Sequence, residues 1–384
     1  MYPTISDLLE DLFGISIPLP VQTFGFFVAL SFLLAAYTLT LELKRKERDE
    51  ILKPTSKKVW TGRPASWPEL LTASLVGFII GFKLVYFFMN YRELVADPQG
   101  ALLSGRGSLF GGLLFAGISY ALKHREKSAG KKEKPEQVIE TVYPSMLVSN
   151  FTMVAAVAGI LGAKLFHNLE YPAAFFRDPI HELLSFSGLT MYGGLIAGAL
   201  AVTWYGRKNG VPTLHLCDAT APGLMLAYGV GRIGCQLAGD GDWGIVNNMP
   251  APRFLPEWAW SFRYPHNVIN EGIPIPGCIG KHCFMLPEGV FPTPLYESVA
   301  CIALFFVLWA VRKKMPVPGM LFSFYLLLNG IERFFIELIR VNAKYHVDGF
   351  GFTQAQLIST ALILLGIAGM IHFPKRFAAQ PGHA

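Results

Sequence analysis

Charge is scarce in this sequence. Asp, Glu, Lys and Arg make up only 16% of the 384 residues, while 52% are hydrophobic. A water-soluble chain of this length needs long polar stretches to cover its core, and their absence leaves the bilayer as the solvent. Cysteine is sparse as well, and five residues are too few for a disulfide scaffold. Cys217 and Cys301 fall in apolar runs and read as packing residues. Cys278 and Cys283 lie in a long polar loop, where an oxidising compartment can pair them. A zinc site there would have Cys278, His282 and Cys283 but no fourth ligand nearby. Met1 to Gly14 carries Asp7, Glu10 and Asp11 and no Lys or Arg, so the basic start of a cleavable signal peptide is missing. The first apolar run therefore reads as a retained span. The net charge of +6 sits in short connecting loops with no aromatic-basic platform, which argues for membrane orientation and against a nucleic-acid partner.

What the sequence does have is apolar runs of roughly 20 residues, long enough to cross a hydrocarbon layer as helices. They cover Ile17 to Leu41, Pro68 to Tyr91, Ser108 to Leu122, Val142 to His167, Leu189 to Tyr205, Leu214 to Leu237, Pro294 to Val311, Gly319 to Ile339 and Thr353 to Phe373. Basic clusters follow every second run: Lys44 to Lys58, Lys123 to Lys134, Arg207 and Lys208, Arg312 to Lys314, and Lys375 with Arg376. By the positive-inside rule those loops are cytoplasmic, so the N-terminus is outside and the C-terminus inside. The expected fold is all-α, a single polytopic membrane bundle of about nine transmembrane helices over residues 1–384. The loop Ala238 to Thr293, with Trp243, Trp258 and Trp260, is expected to form an extracytoplasmic cap over residues 238–293, followed by the C-terminal helices of 294–384. The chain also repeats itself. Gly77-Phe-Ile-Ile-Gly81-Phe-Lys83, Asp97-Pro98 and Phe110-Gly-Gly match Gly159-Ile-Leu-Gly162-Ala-Lys164, Asp178-Pro179 and Tyr192-Gly193-Gly194 about 81 residues later. Residues 67–127 and 142–208 read as a parallel internal duplication, unlike the inverted repeats of many transporters.

Few charges lie inside the runs, and they gather at one depth. Arg232, in Tyr228-Gly-Val-Gly-Arg232-Ile-Gly-Cys235, stands about a turn and a half from the outer end of its run. An intramembrane arginine costs a few kcal/mol unless it is paired or faces a wet cavity, so it marks a functional candidate. The bland alternative is a snorkelling arginine in a glycine-mediated helix contact. Arg333, Glu337 and Arg340 share a helix face by their spacing and fall at a similar depth. Two guanidiniums at one depth suit phosphate oxygens, although an ion-paired helix anchor would look the same. Tyr192 opens its run at the same boundary, where it is either a site hydroxyl or an interfacial belt residue. One-sided charge fits a lipid-headgroup site better than a transport path, which needs polar groups through the midplane. Lys83 and Lys164 are the best support for transport. An aspartic peptidase would need facing carboxylates, and Asp240 with Asp242 lies in a glycine-rich loop instead.

The segments Ile17-Pro-Leu-Pro-Val-Gln-Thr-Phe24-Gly, Gly162 through Tyr192-Gly-Gly-Leu-Ile, Asp218-Ala-Thr-Ala-Pro222, Gly231-Arg232-Ile-Gly, Phe291-Pro-Thr-Pro-Leu-Tyr296-Glu297 and Glu332-Arg333 through Glu337 together resemble the prolipoprotein diacylglyceryl transferase family. Its members move a diacylglyceryl group from phosphatidylglycerol to the lipobox cysteine thiol of a prolipoprotein. The resemblance implies a multi-pass protein of the bacterial cytoplasmic (inner) membrane, with its site near the outer leaflet. Its implied partners are phosphatidylglycerol, prolipoprotein signal peptides and membrane lipids, without cofactor or metal. It also implies catalytic roles for Arg232, Arg333, Tyr192 and Glu337. Arg232, Arg333, Gly193, Gly194, Asp240, Gly244, Cys235, Glu297 and Phe24 would surround the substrates. In that scheme the two arginines hold the lipid phosphate while the thiolate attacks the glyceryl C3 carbon. The family often has His where Tyr192 stands, Tyr at Phe24 and Asn at Cys235, and an extra glycine separates Asp240 from Asp242. Seven spans are usual where this sequence has nine. The proton acceptor is therefore open between Tyr192, Glu337, Asp240 and the positive field itself. A transporter or a lipid-binding protein without transfer activity is the alternative.

Overall fold

A computed structural model describes residues 1–378 apart from 16, 18, 20, 97–100, 103, 130–135, 185–189, 343–344 and 348–349. In chain order the helices are α1 (Ile5–Phe13), α2 (Thr23–Arg48), α3 (Trp67–Met89), α4 (Tyr91–Ala96), α5 (Leu109–Ala129), α6 (Val148–Glu170), α7 (Pro172–Arg177), α8 (Pro179–Leu184), α9 (Met191–Lys208), α10 (Thr213–Ala238), α11 (Thr293–Val311), α12 (Met320–Glu337) and α13 (Gln354–Ala378). Three two-stranded antiparallel ribbons interrupt them: β1 (Thr55–Thr61) with β2 (Glu136–Val142), β3 (Ile273–Pro274) with β4 (Phe284–Met285), and β5 (Tyr345–Val347) with β6 (Phe350–Phe352). Nine helices among the described residues have 18 residues or more. Five of these helices, α2, α3, α6 with the turn before it, α11 and α13, are long and apolar enough to cross a membrane. The protein is thus a helical membrane protein. Of the other four, α12 carries Glu332, Arg333 and Glu337, and α9 and α10 are rich in glycine.

Helix α10 is the spine of the bundle, packing along α2 and α11 and touching α9 and α12. Glycine makes this close approach possible. A Cβ at Gly229 would meet Ile302, Cys301 and the Ser298 carbonyl at 2.9–3.1 Å, and one at Gly234 would meet Phe27 at 2.9 Å. At the first turns of α10, the buried Asp218 accepts hydrogen bonds from the backbone N–H groups of Gly319 (2.8 Å) and Phe322 (2.9 Å). A carboxylate from one helix thereby caps the N-terminus of another, where orphan donors and the helix dipole both favour negative charge. At the same end Glu42 of α2 pairs with Arg45 and with Arg312, the residue that caps the end of α11 (Nε to Oε2, 3.1 Å). Helix α13 lies along α12, closed by Gly330 and Gly366, each of which would strike the facing backbone with a Cβ.

Two further helix pairs are α3 with α5 and α6 with α9. Each crosses at a glycine contact. A Cβ on Gly81 or Gly111 would collide with the other's carbonyl oxygen, and the same holds for Gly162 and Gly193. The α3–α5 pair is carried on the β1–β2 ribbon, which is pinned to the end of α9 where Lys57 donates to Asn209 Oδ1 (2.5 Å) and Thr55 to the Asn209 carbonyl (3.2 Å). Lys83 donates to the carbonyls of Ala101 (3.0 Å), Arg106 (3.0 Å) and Ser104, closing the turn between the two helices. Lys83, one of the two lysines read as support for a transport path, is therefore a turn cap. Asp97-Pro98 of the first copy lies outside the described residues, and Asp178-Pro179 opens α8.

The segment between α10 and α11 folds into a small cap. Its core is Trp243, Tyr264, Leu286 and Val290, with the Tyr264 hydroxyl donating to Gln236 (2.7 Å). The fully buried Asn267 amide donates to the carbonyls of Tyr264 and Glu271 and accepts from Glu271 N, locking the loop that precedes β3. Cys278 and Cys283 form a disulfide.

Candidate functional site

Three helices and two adjoining segments deliver six charged side chains to one cluster. Arg232 comes from the last two turns of α10, Glu297 from the second turn of α11, and Arg333 and Glu337 from the end of α12. Arg340 follows α12, and Asp242 lies in the loop after α10. Glu297, whose side chain is fully buried, is the hub. It meets Arg232 Nε at 2.5 Å, Arg333 Nη1 at 2.7 Å and Arg340 Nη1 at 3.3 Å. Arg333 also meets Glu337 at 2.8 Å, and Glu337 accepts from Asn342 at 2.5 Å. Asp242 divides its two oxygens between Arg232 and Arg340. Three guanidiniums thus face three carboxylates. The match matters, because an unpaired carboxylate or guanidinium at this depth would cost several kcal/mol.

The backbone fixes Asp242 in place. Gly244 N donates to the Phe291 carbonyl and Ile245 N to the Ile339 carbonyl, each at 2.8 Å, and Thr293 Oγ1 donates to the Asp242 carbonyl at 2.7 Å. Gly244 is needed in this crossing because a Cβ would strike the Ile339 carbonyl oxygen at 2.5 Å. Asp240, two residues earlier, accepts from Asp242 N at 3.4 Å. Burial pushes its carboxyl above the ordinary value, and the neighbouring charge of Asp242 adds to the rise. Burial would do the same to Asp242, but Arg232 and Arg340 hold it below.

The sequence-expected residues separate into two groups. Arg232, Arg333, Glu337 and Glu297 meet in the network, Gly244 lies at its backbone edge, and the Cys235 thiol stands 3.7 Å from Arg232 Nη1. Tyr192 does not join them: its side chain is 36% exposed on α9, and its hydroxyl has no hydrogen-bond partner among the described residues. Gly193 and Gly194 pack against α6 and serve the helix crossing. Phe24 and Asp240 line a separate cleft of about 830 Å³ between the N-terminal segment, the start of α2 and the cap. Cys235, Asp240 and Asp242 bring potential ligand atoms within 4.8 Å of one another. Both Asp242 oxygens are engaged by arginines and the thiol faces a third positive contact, so this donor set suits guanidiniums and not a second cation.

Three residues at or beside the network were named in the sequence without being assigned a site role. Arg340 and Asp242 complete the charge balance, and their signal was present, since Arg340 repeats the face of Glu337 and Asp242 follows Asp240. Glu332 is the third. It is 7% exposed, and neither carboxylate oxygen has a hydrogen-bond partner among the described residues.

A family model described as prolipoprotein diacylglyceryl transferase matches residues 131–372. A relative from Pseudomonas paraeruginosa, named phosphatidylglycerol–prolipoprotein diacylglyceryl transferase, is 30% identical over 230 residues, covering 59% of this chain and 74% of its own. Relatives of the same name from Corynebacterium efficiens and Vibrio vulnificus are 27% and 29% identical over 75% and 69% of this chain, and 84% of each relative is covered. The matched family region takes in every residue of the ion network and stops short of the α3–α5 pair.

Proposed function

The chain belongs to the prolipoprotein diacylglyceryl transferase family, and on that premise we propose that it transfers the diacylglyceryl group of phosphatidylglycerol to the lipobox cysteine thiol of prolipoproteins. The observation that carries this reading to named residues is the buried network in which Arg232, Arg333 and Arg340 share Glu297. Phosphatidylglycerol brings one negative charge to a network that is already balanced. Asp242, at 33% exposure, is the carboxylate able to give way, whereas Glu297 is sealed. The lipid phosphate takes the place of Asp242 on Arg232 and Arg340, while Glu297 keeps the guanidiniums aimed. Each guanidinium carries five donors, so Arg232 and Arg333 can hold phosphate oxygens without leaving Glu297.

The substrate thiolate then attacks the glyceryl C3 carbon, a C–S bond forms, and the C–O bond to phosphate breaks with glycerol phosphate as the leaving group. The arginines stabilise the charge that builds on the leaving phosphate. Asp240 receives the thiol proton: it lines the cleft, and burial raises its affinity for a proton. Glu337 is held by Arg333 and Asn342, and Tyr192 lies apart, so neither is as well placed. The test is incubation of the purified chain with phosphatidylglycerol and a thiol-bearing lipobox peptide, read by mass spectrometry. A diacylglyceryl adduct that is lost in Arg232→Ala is the expected result, and no adduct from folded protein would refute the reading.

The same reading places the nine long helices as nine crossings of the bacterial inner membrane, with the N-terminus and the ion network on the outer side. In support, Arg312, the basic end of α2 and the Arg207-Lys208 end of α9 collect at the end of the bundle away from the network, tied by Glu42 and by the β1–β2 ribbon. We read α3–α5 as a duplicate of α6–α9. Both pairs share the reciprocal glycine crossing and an equivalent backbone bond, Ser108 N to the Phe82 carbonyl (2.8 Å) and Thr190 N to the Ala163 carbonyl (3.1 Å).

A further inference from the structure

The transferase reading leaves open where the second substrate lies. The network sits between α10, α11 and α12, and a thiol-bearing peptide also needs a place for its chain. We propose that the cleft beneath the cap holds that chain, with the disulfide-closed loop 278–283 as its wall and with Ile279 and Lys281 selecting the peptide; this rests on the transferase reading above.

Position is the first argument. Asp240 lines the cleft and accepts a hydrogen bond from the backbone of Asp242, which pairs with Arg232 and Arg340, so the cleft reaches the ion network through one residue. Lining chemistry is the second. Gln22 and Lys281 present polar groups beside Phe24, Val268 and Ile279, a mixture suited to a peptide whose backbone is polar and whose side chains are apolar. The volume, about 830 Å³, is in the range that encloses a drug-sized ligand and thus a few residues of chain.

Rigidity of the wall is the third argument. The disulfide closes the loop, and Ile275 N donates to the Cys283 carbonyl at 2.8 Å. The His266 ring contacts the His282 carbonyl at 2.9 Å, and the His282 ring contacts Asn270 at 3.2 Å. A wall fixed before binding loses little conformational entropy when a peptide arrives. Ile279 stands on it 99% exposed, an apolar side chain on a locked loop beside the cleft with nothing covering it.

The test uses the full-length protein with phosphatidylglycerol and a lipobox peptide, comparing Ile279→Asp and Lys281→Glu with the unaltered chain. Both side chains are exposed, so folding is spared. The expected result is a KM for the peptide raised about five- to tenfold, the range of an interface anchor, with kcat and the KM for phosphatidylglycerol unchanged. Unchanged constants in both variants would overturn the proposal. So would a rise confined to the lipid KM, which would place Ile279 on the membrane surface. A second measurement needs no turnover: a peptide with Ser for Cys and a photoreactive phenylalanine is cross-linked to the protein. Adducts within residues 266–283 support the cleft, and adducts only on the long helices refute it. Cross-linking in the cleft without any transfer would sink the transferase reading alone, and transfer without such cross-links would sink the cleft alone.

Discussion

At the end of α10 that the proposed topology puts inside, Asp218 gives both carboxylate oxygens to backbone N–H groups of α12, and Glu42 is taken by Arg45 and Arg312; at the end it puts outside, Arg232, Arg333 and Arg340 share Glu297, Glu337 and Asp242 through side chains alone. The same residue types do different things at the two ends. Charge anchored on backbone cannot be exchanged for a ligand without opening a helix end. Charge balanced between side chains can be, because one member can swing out and an incoming anion can take its place. The outer network also keeps unused capacity, since Arg340 Nε and both Glu332 oxygens have no hydrogen-bond partner among the described residues. The inner end is built to hold helices together, and the outer end is built to rearrange.

The hardest test of that contrast removes one arginine from each end. Arg232→Ala leaves the buried Glu297 short of a partner. It is expected to lower stability by about 3–5 kcal/mol and to reduce transfer by roughly a hundredfold or more in whatever protein folds. Arg232→Lys keeps the charge but loses the planar fork, and is expected to rescue folding without rescuing turnover. Arg312→Ala, at the inner end, should leave the activity of folded protein within about twofold. Thermal unfolding in detergent and transfer assays on the same samples check both. Equal loss of activity at the two ends would erase the distinction.

A smaller effect is expected from Asp218→Asn, which weakens the cap on α12 by about 1–2 kcal/mol and leaves the kinetic constants of the folded enzyme alone. The two loop aspartates then sharpen the comparison by their opposite signs. The Asp242 carboxyl is held below its ordinary 3.8, so the stability it contributes is present above that pH and is lost as pH falls through the lowered value. The Asp240 carboxyl is raised above 3.8, so its contribution is present in acid and is lost as pH rises through the raised value. Asp242→Asn should therefore remove part of the stability seen at neutral pH and, by vacating Arg232 and Arg340, lower the KM for phosphatidylglycerol. Asp240→Asn should gain stability at neutral pH while slowing transfer. Stability measured from pH 3 to 8 distinguishes them, and shifts in the same direction would contradict the assignment.

Much of this arrangement was legible in the residues. The apolar runs marked where the long helices lie, and Arg232, Arg333 and Glu337 stood out because charge is costly in such runs. Glu297 entered only through the family resemblance, since one glutamate near the start of an apolar run says nothing about three arginines from other helices. Cys278 and Cys283 were visible as a possible pair, but sequence spacing cannot fix whether two thiols meet. Tyr192 was singled out because its depth matched that of the arginines, and among the described residues its hydroxyl has no hydrogen-bond partner; depth is a property of sequence, and direction is a property of packing. Two of the three helices bearing the site, α10 and α12, fall outside the five that are most plainly membrane-spanning, because the glycines and charges the site requires dilute their apolar character. Function is what obscured the fold there.

Glu332 offers the finest test. It lies beside the network in sequence, one residue before Arg333, yet its carboxyl is buried with no hydrogen-bond partner among the described residues, whereas every other carboxylate of the network has at least one guanidinium. If that isolation persists through the reaction cycle, Glu332→Gln exchanges one unpartnered polar group for another of nearly the same shape. Stability should then stay within about 1 kcal/mol of the unaltered chain, and transfer within about threefold. If instead an arginine released from Asp242 or Glu297 turns to Glu332 when phosphate arrives, the amide cannot replace the charge, and turnover should fall tenfold or more with stability still unchanged. The outer network would then be a relay of four carboxylates around three arginines, and the comparison with the closed inner end would be stronger for it.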